Sequence, residues 1–327
     1  MSSYLHWIRR HIGHEKILVV YASAAIRDDA GRMLWQRRAD FGWWGLPGGV
    51  LELDESLPQC VVREVREETG LQVRPTRLVG VYTSPDFDVI YPNGDQVQQV
   101  TVCFECGNWG LGTGDWGLEI GDWRGDEETL ELGWFDLGDL PPTAPWYTAM
   151  AADVALGQRA ASFDRGRLGN KRGEEPFFRQ VRRRIGSEPF IMPAAAAFVR
   201  DETGRVLLQR RGDTGDWGLP GGGMELGERV DQTVVNEVRE ETGLEVEPVR
   251  MVGAYSDDGF WIVYPNGDQV KVVSMLFECR VVGGQLRADG VESLEVRFFS
   301  PDALPPMLER HAIRIQAGLA GGEEVIF

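Results

Sequence analysis

Cysteine is scarce. Cys60, Cys103, Cys106 and Cys279 are the only four in 327 residues, too few and too unevenly placed for a disulfide framework, which fits a reducing cytoplasm. Cys103 and Cys106 form a lone C-x-x-C with no second pair. The surrounding run VTVCFEC reads as a strand, where cysteine is a common buried residue, and this argues against zinc or redox chemistry. Long apolar runs are missing as well: none reaches the roughly 18 residues that a membrane span requires, and the first residues lack the apolar core of a signal peptide. The expectation is a soluble, cytoplasmic protein with no membrane partner. Positive charge is also short. Lys and Arg number 34 against 51 Asp and Glu, and the net charge of −17 excludes a broad nucleic-acid footprint, which needs a basic surface. Phosphate ligands would need bound divalent cations, and clustered carboxylates are how a protein holds them.

What is present is a globular composition, 43% hydrophobic and 26% charged, in a chain long enough for two ordinary cores. It is also a repeat. One numbering offset of 173 relates Gly13 to Gly186, Arg27-Asp28 to Arg200-Asp201, Arg37-Arg38 to Arg210-Arg211, Trp44-Gly-Leu-Pro to Trp217-Gly-Leu-Pro, and YPNGDQV at Tyr91 to the same run at Tyr264. After Cys106 and Cys279 the offset falls to 164, so the first copy carries nine extra residues. A unit this long is a duplicated domain, since solenoid repeats run to about 20–50 residues. The expected boundaries are 1–156 for the first domain, a polar Gly-rich linker over 157–175, and 176–327 for the second.

Each copy opens on a short amphipathic helix, YLHWIRRHIGHE or FFRQVRRRIGSE. Arg179, Arg182, Arg183 and Arg184 on the second of these read as a solvated helix face rather than a nucleic-acid patch. KILVVYASAAI, a turn at Asp28–Gly31, and RMLWQRR then predict a β-hairpin feeding a sheet. A helix is predicted from about Asp54–Ser56, with Ser56 and Gln59 as a capping box, Leu57, Val61 and Val65 on its buried face, and Gly70 as its left-handed cap. Asn93-Gly94 between β-prone runs predicts a second hairpin. The nine extra residues fall in GNWGLGTGDWGLEIGDWRGDEETLE, whose GLGTG lacks the following helix and complete glycine spacing of a dinucleotide loop and reads as an extended loop.

The chemistry lies between Gly49 and Leu71. On a helix at about 100° per residue, Glu64, Glu67 and Glu68 fall on one face within about 100° of arc. Three acids repel one another unless solvent separates them or a cation fills the space, and hard oxygen ligands select Mg²⁺ or Mn²⁺. Gly49, Glu55, Arg63-Glu64, Val65, Glu67-Glu68, Gly70 and Leu71 resemble, position for position, the signature box of the Nudix hydrolases. The box recurs from Gly222 to Leu244 with Glu228, Glu237, Glu240, Glu241 and Gly243 in register, but Asn236 stands where Arg is expected. Arg239 aligns with Arg66, so it is not a shifted substitute.

The resemblance implies two α/β/α sandwiches with mixed central sheets, each carrying the box as a loop-helix-loop. It implies metal ligation by Glu64, Glu67 and Glu68 with help from Glu55, the equivalent set Glu237, Glu240 and Glu241 in the second copy, and Mg²⁺ or Mn²⁺ as cofactor. Arg63 would orient the acids, a task suited to a guanidinium and closed to Asn236. Glu128 and its counterpart Glu292 are candidates for a further metal ligand or the general base, with surface acids as the alternative. The implied reaction is hydrolysis of a nucleoside diphosphate derivative to a nucleoside monophosphate and a phosphorylated partner, with the first domain the more active. An oxidised-nucleotide triphosphate pyrophosphatase is the alternative within the class, and a nucleotide-derivative sensor is the alternative for the second domain. By analogy with Nudix proteins that pair between chains, the copies could form an internal pseudo-dimer, with a homo-oligomer as the other option. Specificity is less legible: Trp35, Trp43, Trp44, Trp109, Trp116 and Trp123 offer stacking surfaces or core packing, and Arg37-Arg38 and Arg210-Arg211 offer phosphate binding or a solvated face.

Overall fold

The computed structural model describes residues 4–110, 128–166, 175–264 and 266–327. The GLGTG run and most of the Gly- and Trp-rich stretch around it, together with 167–174 of the expected linker, lie outside the described residues, as do the side chains of Trp109, Trp116 and Trp123. Met1–Ser162 and Phe163–Phe327 form two compact units.

In the first unit, α1 (Tyr4–Ile12) buries Tyr4, Ile8 and Ile12, one face at helical spacing. Strand β1 (Ile17–Ile26) is buried along nearly its whole length. A run with no polar alternation is what a strand covered on both faces requires. The chain continues through β2 (Met33–Arg38), β3 (Trp44–Gly45) and β4 (Gly48–Val50) into the box helix α2 (Leu57–Thr69). Then come β5 (Gln72–Tyr82), β6 (Val89–Ile90), β7 (Gln96–Gly110), β8 (Thr129–Phe135), α3 (Pro145–Leu156) and β9 (Ser162–Phe163). The main sheet runs β4-β1-β7-β5-β9, with β6 also on β7. It is mixed: β1 and β7 are parallel over ten residues, and β4 and β5 are antiparallel to their neighbours. Helix α2 packs on β1, β4 and β5, and α3 packs on β5. Between α3 and the sheet lies a core that includes Trp35, Val79, Tyr82, Met150 and Val154.

The second unit repeats this order: α4 (Phe177–Ile185), β10 (Phe190–Val199), β11 (Val206–Arg211), β12 (Trp217–Gly218), β13 (Gly221–Gly223), α5 (Val230–Thr242), β14 (Leu244–Tyr255), β15 (Trp261–Val263), β16 (Gln269–Gly284), β17 (Ser293–Phe299) and α6 (Glu309–Ala320). Its sheet runs β13-β10-β16-β14, with β10 and β16 parallel. Two α/β units with mixed sheets are what the sequence led us to expect. Their cores differ by a volume exchange. Ala25 and Val154 of the first core correspond to Phe198 and Gly318 of the second, where the Phe198 ring lies so close to α6 that a Cβ at Gly318 would stand 2.5 Å from it.

One expectation is corrected. The turn after β1 forms, with Gly31 N–H donating to Asp28 O at 2.9 Å, but β1 and β2 do not pair as a hairpin. A single bridge, Arg27 to Met33, joins the two segments, and β2 belongs to a separate sheet ordered β3-β2-β8. β7 runs along one edge of β1 for its whole length and β4 takes Tyr21–Ser23 on the other, which leaves β2 only the end beside the turn. The Asn93-Gly94 hairpin does form, with β6 antiparallel to β7 and Gly94 at φ 89°. Arg182 departs from a solvated face. It is largely buried and donates to the carbonyls of Gly186, Glu188 and Gln269 at 2.6–3.0 Å, as Arg9 does at the equivalent place in the first copy. All four cysteines are buried and free. Cys103 and Cys106, three apart on β7, point to opposite faces, as an odd spacing on a strand dictates. Among the described residues no helix is long and apolar enough to cross a membrane.

Helix α2 starts as its sequence specifies. Gln59 Oε1 accepts the Ser56 N–H at 2.7 Å, the Ser56 hydroxyl accepts the Gln59 N–H at 3.4 Å, and Gly70 closes the helix at φ 73°. In α5 the residue equivalent to Ser56 is Arg229, and only the Gln232 half of the box survives, at 3.0 Å. Ser56→Ala should therefore lower the stability of the first unit by about 1 kcal/mol. Urea unfolding followed by tryptophan fluorescence measures this, and an unchanged midpoint would show that the cap contributes nothing.

Candidate metal and catalytic site

The site is built where β4 meets α2. Gly49 lies so close to the helix that a Cβ there would overlap the Glu64 carboxylate, and Gly222 stands in the same relation to Glu237. The opening glycine of the box is thus required by the acid beneath it. Glu68 is buried, with Oε1 accepting from Gln36 Nε2 at 2.8 Å and Oε2 from the Gly48 N–H at 2.7 Å. Burial pushes its carboxyl up to about 8, against the pull of these donors.

Arg63 grips the other acids. Its guanidinium donates to Glu55 Oε1 and Oε2 at 2.6 and 2.9 Å, to Glu64 Oε1 at 2.8 Å, to Glu67 Oε2 at 3.0 Å and to Val50 O at 3.1 Å. One planar fork with five donors can serve three carboxylates in this way. The bidentate contact with Glu55 raises the Arg63 pKa. Burial pushes Glu64 up to about 7; Arg63 pulls it down, and the charges of Glu67 and Glu128 push it further up.

In the second unit, Asn236 Nδ2 donates to Glu228 Oε1 at 2.7 Å, and Glu228 also accepts from the Thr233 hydroxyl at 3.0 Å. A short amide reaches the one acid at the start of the helix. Arg239 turns to Asn236 Oδ1 at 3.2 Å and to Glu240 at 3.8 Å. Glu241 repeats the contact of Glu68, accepting from the Gly221 N–H at 2.7 Å, and burial together with the Glu237 charge pushes it up to about 8. Among the described residues, Glu237, Glu241 and Glu292 form a group of three acids whose ligand oxygens all lie within 4.8 Å of one another. Such a set of hard oxygen donors fits Mg²⁺ or Mn²⁺. These acids border a cleft of about 690 Å³ that Arg179, Arg211 and Tyr264 also line.

The structure thus gathers Glu55, Arg63, Glu64 and Glu67 by direct contact, holds Glu68 beside them, and brings Glu128 into electrostatic range of Glu64. Glu240, about half exposed, lines the cleft of the second unit outside the group of three. Glu128 and Glu292 are delivered by backbone bonds, their carbonyls accepting from Ala39 and Gly212 N–H at 2.9 and 2.8 Å. Strand alternation divides each arginine pair: Arg37 faces out to Glu131, while Arg38 and Arg211 face in, each bidentate to an aspartate two residues on. Trp35 is core, whereas Trp43 and the YPNGDQV tyrosine Tyr91 line a small chamber beside Gly48. Sequence reasoning missed Gln36, which bonds Glu68 while its own carbonyl accepts from Thr129 at 2.7 Å. The signal was in hand, because Gln209 and Ser293 repeat that pair at the two offsets.

The NUDIX domain family matches residues 18–154 and again 191–317. A MutT-like protein of Streptomyces ambofaciens is 38% identical over 136 residues, covering 41% of this chain and 81% of that protein. An ADP-ribose pyrophosphatase of Methanocaldococcus jannaschii is 34% identical over 127 residues, 37% of this chain and 70% of its own. Among solved structures, an ADP-ribose pyrophosphatase from Streptococcus suis aligns with 30% identity and a TM-score of 0.34, over 42% of this chain and 98% of that one. The chain belongs to the Nudix hydrolase family, as a tandem of two Nudix domains, and is an enzyme of that class.

The raised carboxyls give the metal-free protein a pH signature. Glu64, Glu68 and Glu241 hold protons at about 7, 8 and 8 that the unfolded chain releases near its ordinary value of 4.5, so the folded state binds more protons across this window. Their contribution is complete below the unfolded value and is lost as pH rises through the folded ones. Buried His311 works in the opposite direction, its pKa lowered well below the ordinary 6.5, so its gain in stability with pH is at half its full slope at pH 6.5 and fades above it, where the three carboxyls outweigh it. Stability in EDTA should therefore fall between pH 6.5 and 8, and millimolar Mg²⁺ should offset the fall. Urea midpoints at the two pH values check this; a midpoint that rises with pH in EDTA would contradict it.

Proposed function

We propose that the first domain hydrolyses a phosphoanhydride of a nucleoside diphosphate derivative, releasing a nucleoside monophosphate and a phosphorylated partner. The observation that carries this reading is the contact of Arg63 with Glu55, Glu64 and Glu67 while Glu68 is fixed separately by Gly48 and Gln36. Glu64, Glu67 and Glu68 are the ligands for Mg²⁺ or Mn²⁺, with Glu55 anchoring the arginine that orients them. A divalent cation held by these acids would neutralise the charge of the anhydride and make an attacking water more acidic. Glu128, exposed and bearing electrostatically on Glu64, would take the proton of the attacking water or complete the ligand set.

The second domain retains acids for a metal in Glu237, Glu241 and Glu292, with Glu240 at the cleft wall. Its Asn236 orients Glu228 alone, which supports slower turnover or ligand binding without turnover. The names of the relatives make ADP-ribose the first substrate to test, with nucleotide sugars, dinucleoside polyphosphates and oxidised nucleotides beside it. Release of inorganic pyrophosphate from an oxidised triphosphate, with no cleavage of diphosphate derivatives, would move the assignment to the triphosphate class.

Charge-removing variants of the intact chain test the division of labour. Glu68→Gln should lower turnover with Mg²⁺ or Mn²⁺ by about two orders of magnitude, the scale of losing a group that stabilises developing charge. Glu241→Gln should leave most of it. An equal loss from both, or a greater loss from Glu241→Gln, overturns the assignment of the first domain as the main catalyst.

A further inference from the structure

Both units enclose a chamber between the sheet and the helix opposite the box, bordered by Gly48 in one and Gly221 in the other. The first is lined by Tyr21, Phe41, Trp43, Tyr91, Trp146 and Tyr147, and its roughly 20 Å³ is room for about one water. Phe41 stacks on Trp43 at 4.6 Å, and the Tyr21 and Tyr91 hydroxyls meet at 3.1 Å. At the two repeat offsets, Ala194 replaces Tyr21, Asp216 replaces Trp43, Arg310 replaces Trp146, His311 replaces Tyr147 and Arg314 replaces Met150. The second chamber opens to about 130 Å³, and Arg211, Arg310, His311 and Arg314 line it.

The chemistry of that lining is unbalanced. Arg314 is only 6% exposed, and it donates to Arg310 O and to Ser274 Oγ, both at 3.0 Å, and to His311 Nδ1 at 2.9 Å. Among the described residues neither Arg314 nor Arg310 has a carboxylate within ion-pair distance, and the charges of Asp213 and Asp216 act on Arg310 only from further off. Arg211 is neutralised by Asp213. His311 Nδ1 also accepts the Leu219 N–H at 3.2 Å, so the ring is neutral with its proton on Nε2, a further donor. Burial, together with repulsion from Arg310 and Arg211, lowers the Arg314 pKa to about 10. A buried cation without an anion is unfavourable, and the site gains when an anion enters.

We propose that this chamber of the second domain binds a phosphate monoester dianion through Arg310, Arg314 and His311. Arg211, Gly221, Gly222, Gly223, Met192 and Tyr264 line both the chamber and the cleft of Glu237, Glu241 and Glu292. A ligand whose anhydride lies at those acids reaches the chamber with its far end. The second domain therefore selects nucleotide derivatives carrying an additional phosphate, a group that the chamber of the first domain has neither the volume nor an unpaired cation to receive, its Arg38 being held by Asp40. The anion affinity stands on the chamber alone; its place at the end of a substrate cleft rests on the function proposed above.

The test uses the intact chain in EDTA, titrated calorimetrically with inorganic phosphate and with acetate at matched ionic strength. Phosphate should bind saturably and more tightly than acetate. Arg310→Gln and Arg314→Met should each weaken it about tenfold or more, the scale of a lost charge-assisted hydrogen bond. Arg310 is partly exposed, so its variant keeps the test alive if Arg314→Met misfolds. The Tm rise of the wild type in phosphate over matched chloride should shrink in both variants, since the general salting effect of phosphate acts on all of them alike. Absence of saturable binding, equal affinity for acetate, or unchanged affinity in both variants overturns the proposal. Hydrolysis of a diphosphate derivative without phosphate binding sinks this inference alone, and phosphate binding without any hydrolysis sinks the proposed reaction alone.

Discussion

Both sites depend on one contact, a buried glutamate at the C-terminal end of the box helix accepting a backbone N–H from the strand beside it. Glu68 meets Gly48 and Glu241 meets Gly221, each at 2.7 Å. The contact draws the helix so close to the strand that the next residue must be glycine, because Glu64 or Glu237 occupies the space a side chain would need. It also takes carboxylates out of water, which raises their proton affinity and makes the metal-free site a place of stored repulsion. Protons or a divalent cation relieve that repulsion, which ties metal binding to stability through the same atoms.

Around this shared contact the two copies solve the remaining electrostatics differently. Arg63 binds three carboxylates and fixes their relative positions, whereas Asn236 serves Glu228 only. Elsewhere the duplicates exchange volume without changing architecture, as in Ala25 with Val154 against Phe198 with Gly318. Cores tolerate such exchanges if total volume is kept. A change of donor number at position 236 has a different effect, because the Asn236 amide reaches Glu228 while Arg239 turns to Glu240.

The chambers opposite the box helix diverge further still. One is filled by stacked aromatic rings; the other has lost the bulk of Tyr21 to Ala194 and gained two arginines and a histidine from one turn of α6. Helical spacing explains the concentration, since positions 310, 311 and 314 share a face. The framework is constant while the chemical character of the recess is set by a few side chains on a helix that plays no part in the box.

Much of this was legible beforehand. The duplication, the capping box at Ser56 and Gln59, the Asn93-Gly94 hairpin and the run of acids on α2 follow from local rules, spacing along one chain with each residue read against near neighbours. Sequence alone also located the contrast between Arg63 and Asn236. Three things waited on the tertiary structure. The assignment of β1 and β2 to different sheets depends on which strand edges distant segments occupy. The bond from Gln36 to Glu68 joins residues 32 apart on different elements. The cationic chamber joins Arg211, Ser274 and Arg314, whose meeting no periodicity encodes. Charge in a sequence is only a count; where burial strips it of water and of partners, it becomes a site, and burial is a property of the folded chain.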